Sequence, residues 1–265
     1  MNLQLLTRRT TGNGSAKYTG AGIVTSSEGG SLADVAAEIA RHDLQCLLFQ
    51  DESLFRDEMS AVSFCREMRA CEINVLWSAR LDSLPTRVQL HAMRLAGCQH
   101  LELSLASEEA DQAYDRVRGY GFDMALRHPD GRPYAVDVPD YTVSEREAVC
   151  DIFPDLHTAQ FDLAVAYFKA RRYRDVMLPL AKSMTLGFPV NELCLNLLAC
   201  LSAAKHYPEM AAGLLKQARY GNSHPVVDKN ADTLRSWVRN GGDVQGIRLL
   251  LEPARASLNM AHHQA

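Results

Sequence analysis

Ten polar residues close the apolar runs in the first half of this chain: Gln50, Asp51, Glu52, Ser78, Arg80, Asp82, Glu102, Ser104, Arg127 and His128. In parallel sheets and barrels the strand ends and the loops after them line the cavity, because helix N-termini and free backbone amides collect there. The carboxylates Asp51, Glu52 and Glu102 are the residue type for general acid and base work. That work needs paired titratable groups converging on one pocket. Asp51 with Arg80 has a structural alternative, an ion pair that shapes the mouth of the cavity. Trp77, at the end of an apolar run, is either core or a stacking platform. The candidate cavity is therefore Gln50, Asp51, Glu52, Trp77, Arg80, Glu102 and Ser104.

Other chemistries find little support. The seven cysteines, Cys46, Cys65, Cys71, Cys98, Cys150, Cys194 and Cys200, are scattered, odd in number and mostly inside apolar patterns, so they read as reduced core residues. Cys65 and Cys71 lack the second pair or histidine cluster of a metal site. There is no G-x-S-x-G elbow, H-E-x-x-H helix or Walker loop. Gly12-Asn13-Gly14 has no helix-opening context for phosphate.

Short apolar strands alternating with amphipathic helices position these residues, the pattern of right-handed crossovers and a parallel sheet. Strands are predicted at 3–6, 44–49, 73–77, 100–105 and 123–127. Ser31 with Asp34 three residues on opens a helix to His42 that places Leu32, Val35, Ala36 and Ile39 on one face. Helices at 57–71, 85–95 and 107–118 follow, with Pro85 near a first turn and Gly97 and Gly119 suited to C-caps. Five βα steps give an α/β class and a partial parallel barrel over 1–128.

The segment Thr7 to Tyr18, T-R-R-T-T-G-N-G-S-A-K-Y, follows the first apolar run. Downstream come Phe49-Gln50-Asp51-Glu52-Ser53-Leu54, Arg80-Leu81-Asp82 and Ala96-Gly97-Cys98-Gln99-His100-Leu101-Glu102-Leu103. In order and spacing this resembles radical S-adenosylmethionine enzymes: the C-x-x-x-C-x-x-C loop, F-x-D-[DE]-x-[FL], R-x-D and A-G-C-x-x-[IL]-x-[IL], over residues 3 to about 128. At the cysteine positions stand Thr10, Gly14 and Lys17, and Ala106 replaces the acid of G-x-E-S. Thiolates hold the irons of such clusters, and Thr, Gly and Lys supply none. The resemblance implies a pseudoenzyme with no cofactor expected, S-adenosylmethionine being the first ligand to consider. Lys17 would then pair with Asp51 or Glu52.

Pro129, Gly131, Pro133 and Pro139 mark a connector over 129–144, with a possible edge strand from Tyr134 to Val138. Beyond it a helical domain, 145–253, repeats itself. Leu163-Ala164 recurs as Leu198-Ala199, Tyr173 as Tyr207, Gly187 as Gly221 and Pro189 as Pro225, at offsets of 34 to 36 residues. The period resembles tetratricopeptide repeats, two of them plus a helix from Lys229 to Arg239. Stacked helix pairs imply a protein or peptide partner, an active relative or a second copy, with Phe168, Lys169 and Asn196 on the candidate partner surface. The polar tail 254–265, including His262 and His263, is expected to fray.

With 28 basic against 32 acidic residues and a net charge of -4, no electrostatic footprint for nucleic acid or anionic membrane is present. No apolar run approaches a membrane span and the N-terminus lacks a signal h-region, so a cytoplasmic location is expected.

Overall fold

The computed structural model describes residues 1–8, 17–25, 31–134, 140–220, 224–239 and 249–250. They form two compact units, one spanning Met1–Tyr141 with Asp151–Phe153, the other Thr142–Cys150 and residues from Pro154 onward.

The first unit holds one six-stranded sheet. Its strands are β1 (Asn2–Arg8), β2 (Lys17–Thr25), β3 (Cys46–Phe49), β4 (Leu76–Leu81), β5 (Cys98–Ser104) and β6 (Asp123–Arg127), in spatial order β1-β2-β3-β4-β5-β6. β2 through β6 run parallel, and β1 is antiparallel to β2. The connecting helices are α1 (Leu32–His42), α2 (Glu58–Ala70), α3 (Arg87–Leu95) and α4 (Ser107–Arg118). Two start with reciprocal capping boxes, Ser31 with Asp34 and Thr86 with Gln89, each worth about 1 kcal/mol of helix stability.

Sequential parallel strands with right-handed crossovers carry every helix to the same side of a sheet. The core agrees. Val24, Phe49, Trp77, Ala79, Leu101 and Leu103 pack in one cluster with Val35 of α1, Phe64 of α2, Leu90 of α3 and Ala113 of α4. Residues of the opposite parity, Ile23, Leu48, Ser78, Arg80, Glu102 and Arg127, face away from that cluster. The sheet therefore has an apolar face under the helices and a second face that turns polar toward β4, β5 and β6.

The predicted first βα step is corrected. Residues 3–6 lie in an antiparallel strand, and β2 stands where no strand was expected. A run as poor in large apolar residues as Lys17-Tyr18-Thr19-Gly20-Ala21-Gly22 gives little period-2 signal. Pairing with β1 and β3 makes it a strand. The strand expected at 73–77 is likewise displaced, beginning at Leu76 and running on to Leu81. Gly97 holds φ +96° in the turn into β5, where a Cβ would approach the Val75 carbonyl to 2.6 Å. Of the predicted edge strand, Pro133 bridges Arg127 antiparallel and Tyr134 N–H donates to Leu126 O, while 135–139 lie outside the described residues. Tyr141 Oη donates to Phe122 O at 2.5 Å, so the end of the connector belongs to the first unit.

The second unit is helical: α5 (Val143–Ile152), α6 (His157–Lys169), α7 (Met177–Thr185), α8 (Asn191–Ala204), α9 (Pro208–Ala218) and α10 (Pro225–Arg239). α10 begins at Pro225, four residues before the predicted start, because proline is suited to a first helical position. The turns after α6 and α8 share one chemistry. Arg171 and His206, 35 residues apart, both take positive φ, at 59° and 65°. One residue on, Arg172 N–H donates to Tyr167 O and Tyr207 N–H to Ser202 O, both at 2.9 Å. α6 and α8 are buried on nearly all sides, which is why neither shows a one-sided apolar stripe. Inside this unit Arg146 and Asp162, both buried, form an ion pair at 3.2 Å.

Candidate functional site

Three adjacent parallel strands bring three charges together on the polar face. Arg80 lies directly beside Glu102 in the β4–β5 register, and Arg127 sits opposite Ser104 one step along β5–β6. Glu102, buried, takes Arg80 Nη2 at 3.1 Å and Arg127 Nε at 2.7 Å on the same oxygen, Oε1. The Arg127 contact is a close ion pair without the angle of a hydrogen bond. Arg127 also donates to Gly131 O at 3.2 Å, which ties it to the turn after β6. The guanidiniums keep 43% and 39% of their side-chain surface exposed, so the pair of them outweighs one carboxylate and leaves a solvent-facing positive cluster.

This arrangement corrects the expected Asp51–Arg80 pair. Arg80 is committed to its register neighbour Glu102, whereas Asp51 lies past the end of β3 and accepts Ser53 N–H at 2.8 Å to cap the 3-10 turn Glu52–Phe55. Glu102→Gln is expected to cost about 1 kcal/mol or more, since two half-solvated arginines then share a neutral amide. Arg80→Gln should cost less than half as much because Arg127 still pairs with Glu102. Urea unfolding checks both, and equal effects would refute the shared-carboxylate geometry.

Beside this cluster, at the C-terminal ends of β2, β3 and β4, Gln50, Asp51 and Glu52 line a polar cavity of about 580 Å³ with Thr25, Ser53, Arg56 and Asp82. Three carboxylates against one guanidinium make it a cation-favouring recess. Ser104 lies on the same face as Glu102. Thr25 was missed because its strand was missed, and Arg56 because nothing in its local sequence marks a cavity.

Trp77 does not join them. It faces the helices, fully buried, stacked on Phe55 at 5.7 Å and meeting Phe49 edge-on at 5.4 Å. Its indole N–H donates to Ala96 O at 2.6 Å. Strand parity decides this: Trp77 and Arg80 are an odd number of positions apart and so point to opposite faces.

Lys17 is also displaced. It opens β2 as the cross-strand neighbour of Arg8, seven strand residues before Val24, which pairs with Phe49. At roughly 3.3 Å per residue it stands about 23 Å from the strand ends. Pairing with Asp51 or Glu52 is out of its reach. Thr10 and Gly14 lie outside the described residues.

The predicted partner surface is divided. Lys169 is exposed, Phe168 is half-buried with its ring 5.3 Å from Tyr173, and Asn196 is 1% exposed. Asn196 points inward because its amide bonds Asn230 and the main chain of Leu250. Asn230 was not singled out from the sequence, although its spacing of 34 residues from Asn196 matches the repeat.

All seven cysteines are free. Burial pushes the thiols of Cys65, Cys194 and Cys200 up to about 12 and that of Cys98 well above the usual range, which suppresses the nucleophilic thiolate. Among the described residues no group of three His, Cys, Asp or Glu side chains is placed to hold a metal ion. No described helix is long and apolar enough to cross a membrane.

Comparison with known proteins gave no match: no family model, no curated protein and no solved structure proved similar to this chain.

Proposed function

We propose that this protein is a binding or scaffolding subunit whose helical unit, built from tetratricopeptide-like pairs, engages a protein or peptide. The observation that carries this reading is the repeated unit itself. α6–α7 and α8–α9 are successive helix pairs with the same left-handed turn residue and the same closing hydrogen bond 35 residues apart. Stacked pairs of this kind present an extended surface to a ligand chain.

The α/β unit is, on this reading, a partial barrel related to radical S-adenosylmethionine enzymes and unable to carry their cluster. Sequential parallel strands, helices on one face and a polar second face support the barrel. The motif order at β3, β4 and β5 supports the kinship. The hairpin speaks against a cluster: residues 9–16 join antiparallel strands and lie at the N-terminal end of β2, away from the strand-end cavity. The alternative of a repurposed enzyme acting through acids is less favoured, because Asp51 serves as a cap and Glu102 is shared by two arginines.

Affinity capture with the full chain tests the proposal through two surface variants. Lys169→Glu on α6 should abolish capture of the partner, and Arg66→Glu on α2 should leave it intact. The reverse pattern, or no capture by the wild type, would place the function elsewhere.

A further inference from the structure

Two primary amides are buried in the helical unit where leucines would pack. Asn196 on α8 is 1% exposed and Asn230 on α10 is 0% exposed, and they stand 34 residues apart, one repeat. A buried amide is costly unless its hydrogen bonds are made. Here they are made to each other and to one peptide unit of the chain itself. Asn230 Nδ2 donates to Asn196 Oδ1 at 2.7 Å and to Leu250 O at 2.7 Å, and Asn230 Oδ1 accepts Leu250 N–H at 2.6 Å. Asn196 Nδ2 adds a bond to Leu250 O at 3.1 Å, and Cys200 Sγ donates to the same carbonyl at 3.4 Å. Both hydrogens and an acceptor lone pair of Asn230 are thereby used.

Both main-chain groups of Leu250 are read, while 42% of its surface stays exposed. Recognition therefore falls on the backbone, and any residue but proline offers the same N–H and C=O. Fold stability alone would be served as well by apolar residues at both positions. What the amides add is the ability to hold an extended chain.

We propose that Asn196 and Asn230 form a main-chain clamp for an extended peptide segment of a partner protein, and that the chain's own Leu249–Leu250 occupies the clamp in cis. The inference deepens the reading of the helical unit as the interaction surface and rests on it. A tethered segment competes at the high effective concentration of a short linker, so a partner segment enters only as this one leaves. The uncharged clamp selects a segment whose backbone is free to pair, of the aliphatic character of Leu249–Leu250.

The test uses the full chain and a fluorescent octapeptide of its own residues 247–254, IRLLLEPA. Leu250→Pro removes the N–H that Asn230 accepts, vacating the clamp without touching it. By anisotropy, Leu250→Pro should bind the peptide at least about tenfold more tightly than the wild type. Adding Asn230→Leu, close in volume, should abolish binding. Equal affinity of wild type and Leu250→Pro, or binding that survives Asn230→Leu, overturns the proposal. Should Leu250→Pro fail to fold, amide exchange decides: Asn230→Leu should speed exchange at Leu250 at least about tenfold over the wild type, and an unchanged rate overturns the clamp. Dimerisation of the wild type that the free peptide reverses would assign the clamp to a second copy and overturn occupancy in cis. These outcomes do not depend on Lys169, so a failed clamp and a failed interaction surface are told apart.

Discussion

Trp77→Ala should destabilise the α/β unit by about 4 kcal/mol, within the range for emptying a buried aromatic site. Trp77 fills the centre of the helix-packed face, and its ring contacts Phe49, Phe55 and Phe64 with centroids 5.4, 5.7 and 6.2 Å away. Such aromatic pairs add about 0.5–1.5 kcal/mol each beyond the area buried. Alanine leaves a void bounded by three rigid rings and by α2, so collapse is limited and the cavity cost stays high. Trp77→Phe should cost less, about 1–3 kcal/mol, chiefly by removing the donor that the buried Ala96 carbonyl accepts from. Urea denaturation followed by far-UV circular dichroism gives both values. With whole-domain stabilities of about 5–15 kcal/mol, the alanine variant sits near the edge of folding. A loss below about 1 kcal/mol would refute the core assignment and return Trp77 to the cavity as a ligand platform.

Acid should weaken the helical unit through His224. This residue is 4% exposed and precedes Pro225, the first residue of α10, and its Nδ1 accepts Val226 N–H at 3.4 Å. Burial pushes its imidazole down to about 4, with Asp228 acting in the opposite direction. The folded value lies below the ordinary one of about 6.5, so between the two the unfolded chain binds the extra proton. Stability from this group is complete above about pH 6.5, falls as pH drops, and is gone below about 4. One proton over that window amounts to about 3 kcal/mol. Protonation also removes the acceptor for Val226 N–H and puts a positive charge at the positive end of the α10 dipole. Thermal unfolding from pH 7 to pH 4 should therefore show His224→Gln to be less acid-sensitive than the wild type by that amount. Parallel pH profiles would show that His224 is not the responsible group.

Much of the first unit was legible because its signals are local. The capping pair Ser31 and Asp34, the apolar spacing of Leu32 and Val35 and the C-terminal Gly97 each act within a few residues. Helices α1 to α4 and strands β3, β5 and β6 followed from them to within a few residues. The repeat was visible as a spacing, since Leu163 and Leu198 fill equivalent positions of α6 and α8. Asn196 stood out as polar in an apolar helix.

What the tertiary structure decided was which distant residues meet. β2 carries too weak an alternation to announce itself and exists because β1 and β3 flank it. The face a strand residue occupies turns on where the strand begins, and a start at Leu76 puts Trp77 in the core and Arg80 on the polar side. Arg80 chose Glu102 over Asp51 through the β4–β5 register. Asn196 reaches Leu250 across 54 residues of chain. Periodicity reports a residue's own environment within a turn or two of chain, whereas a hydrogen-bond or ion-pair partner is set by sheet register and helix stacking, which no local pattern encodes.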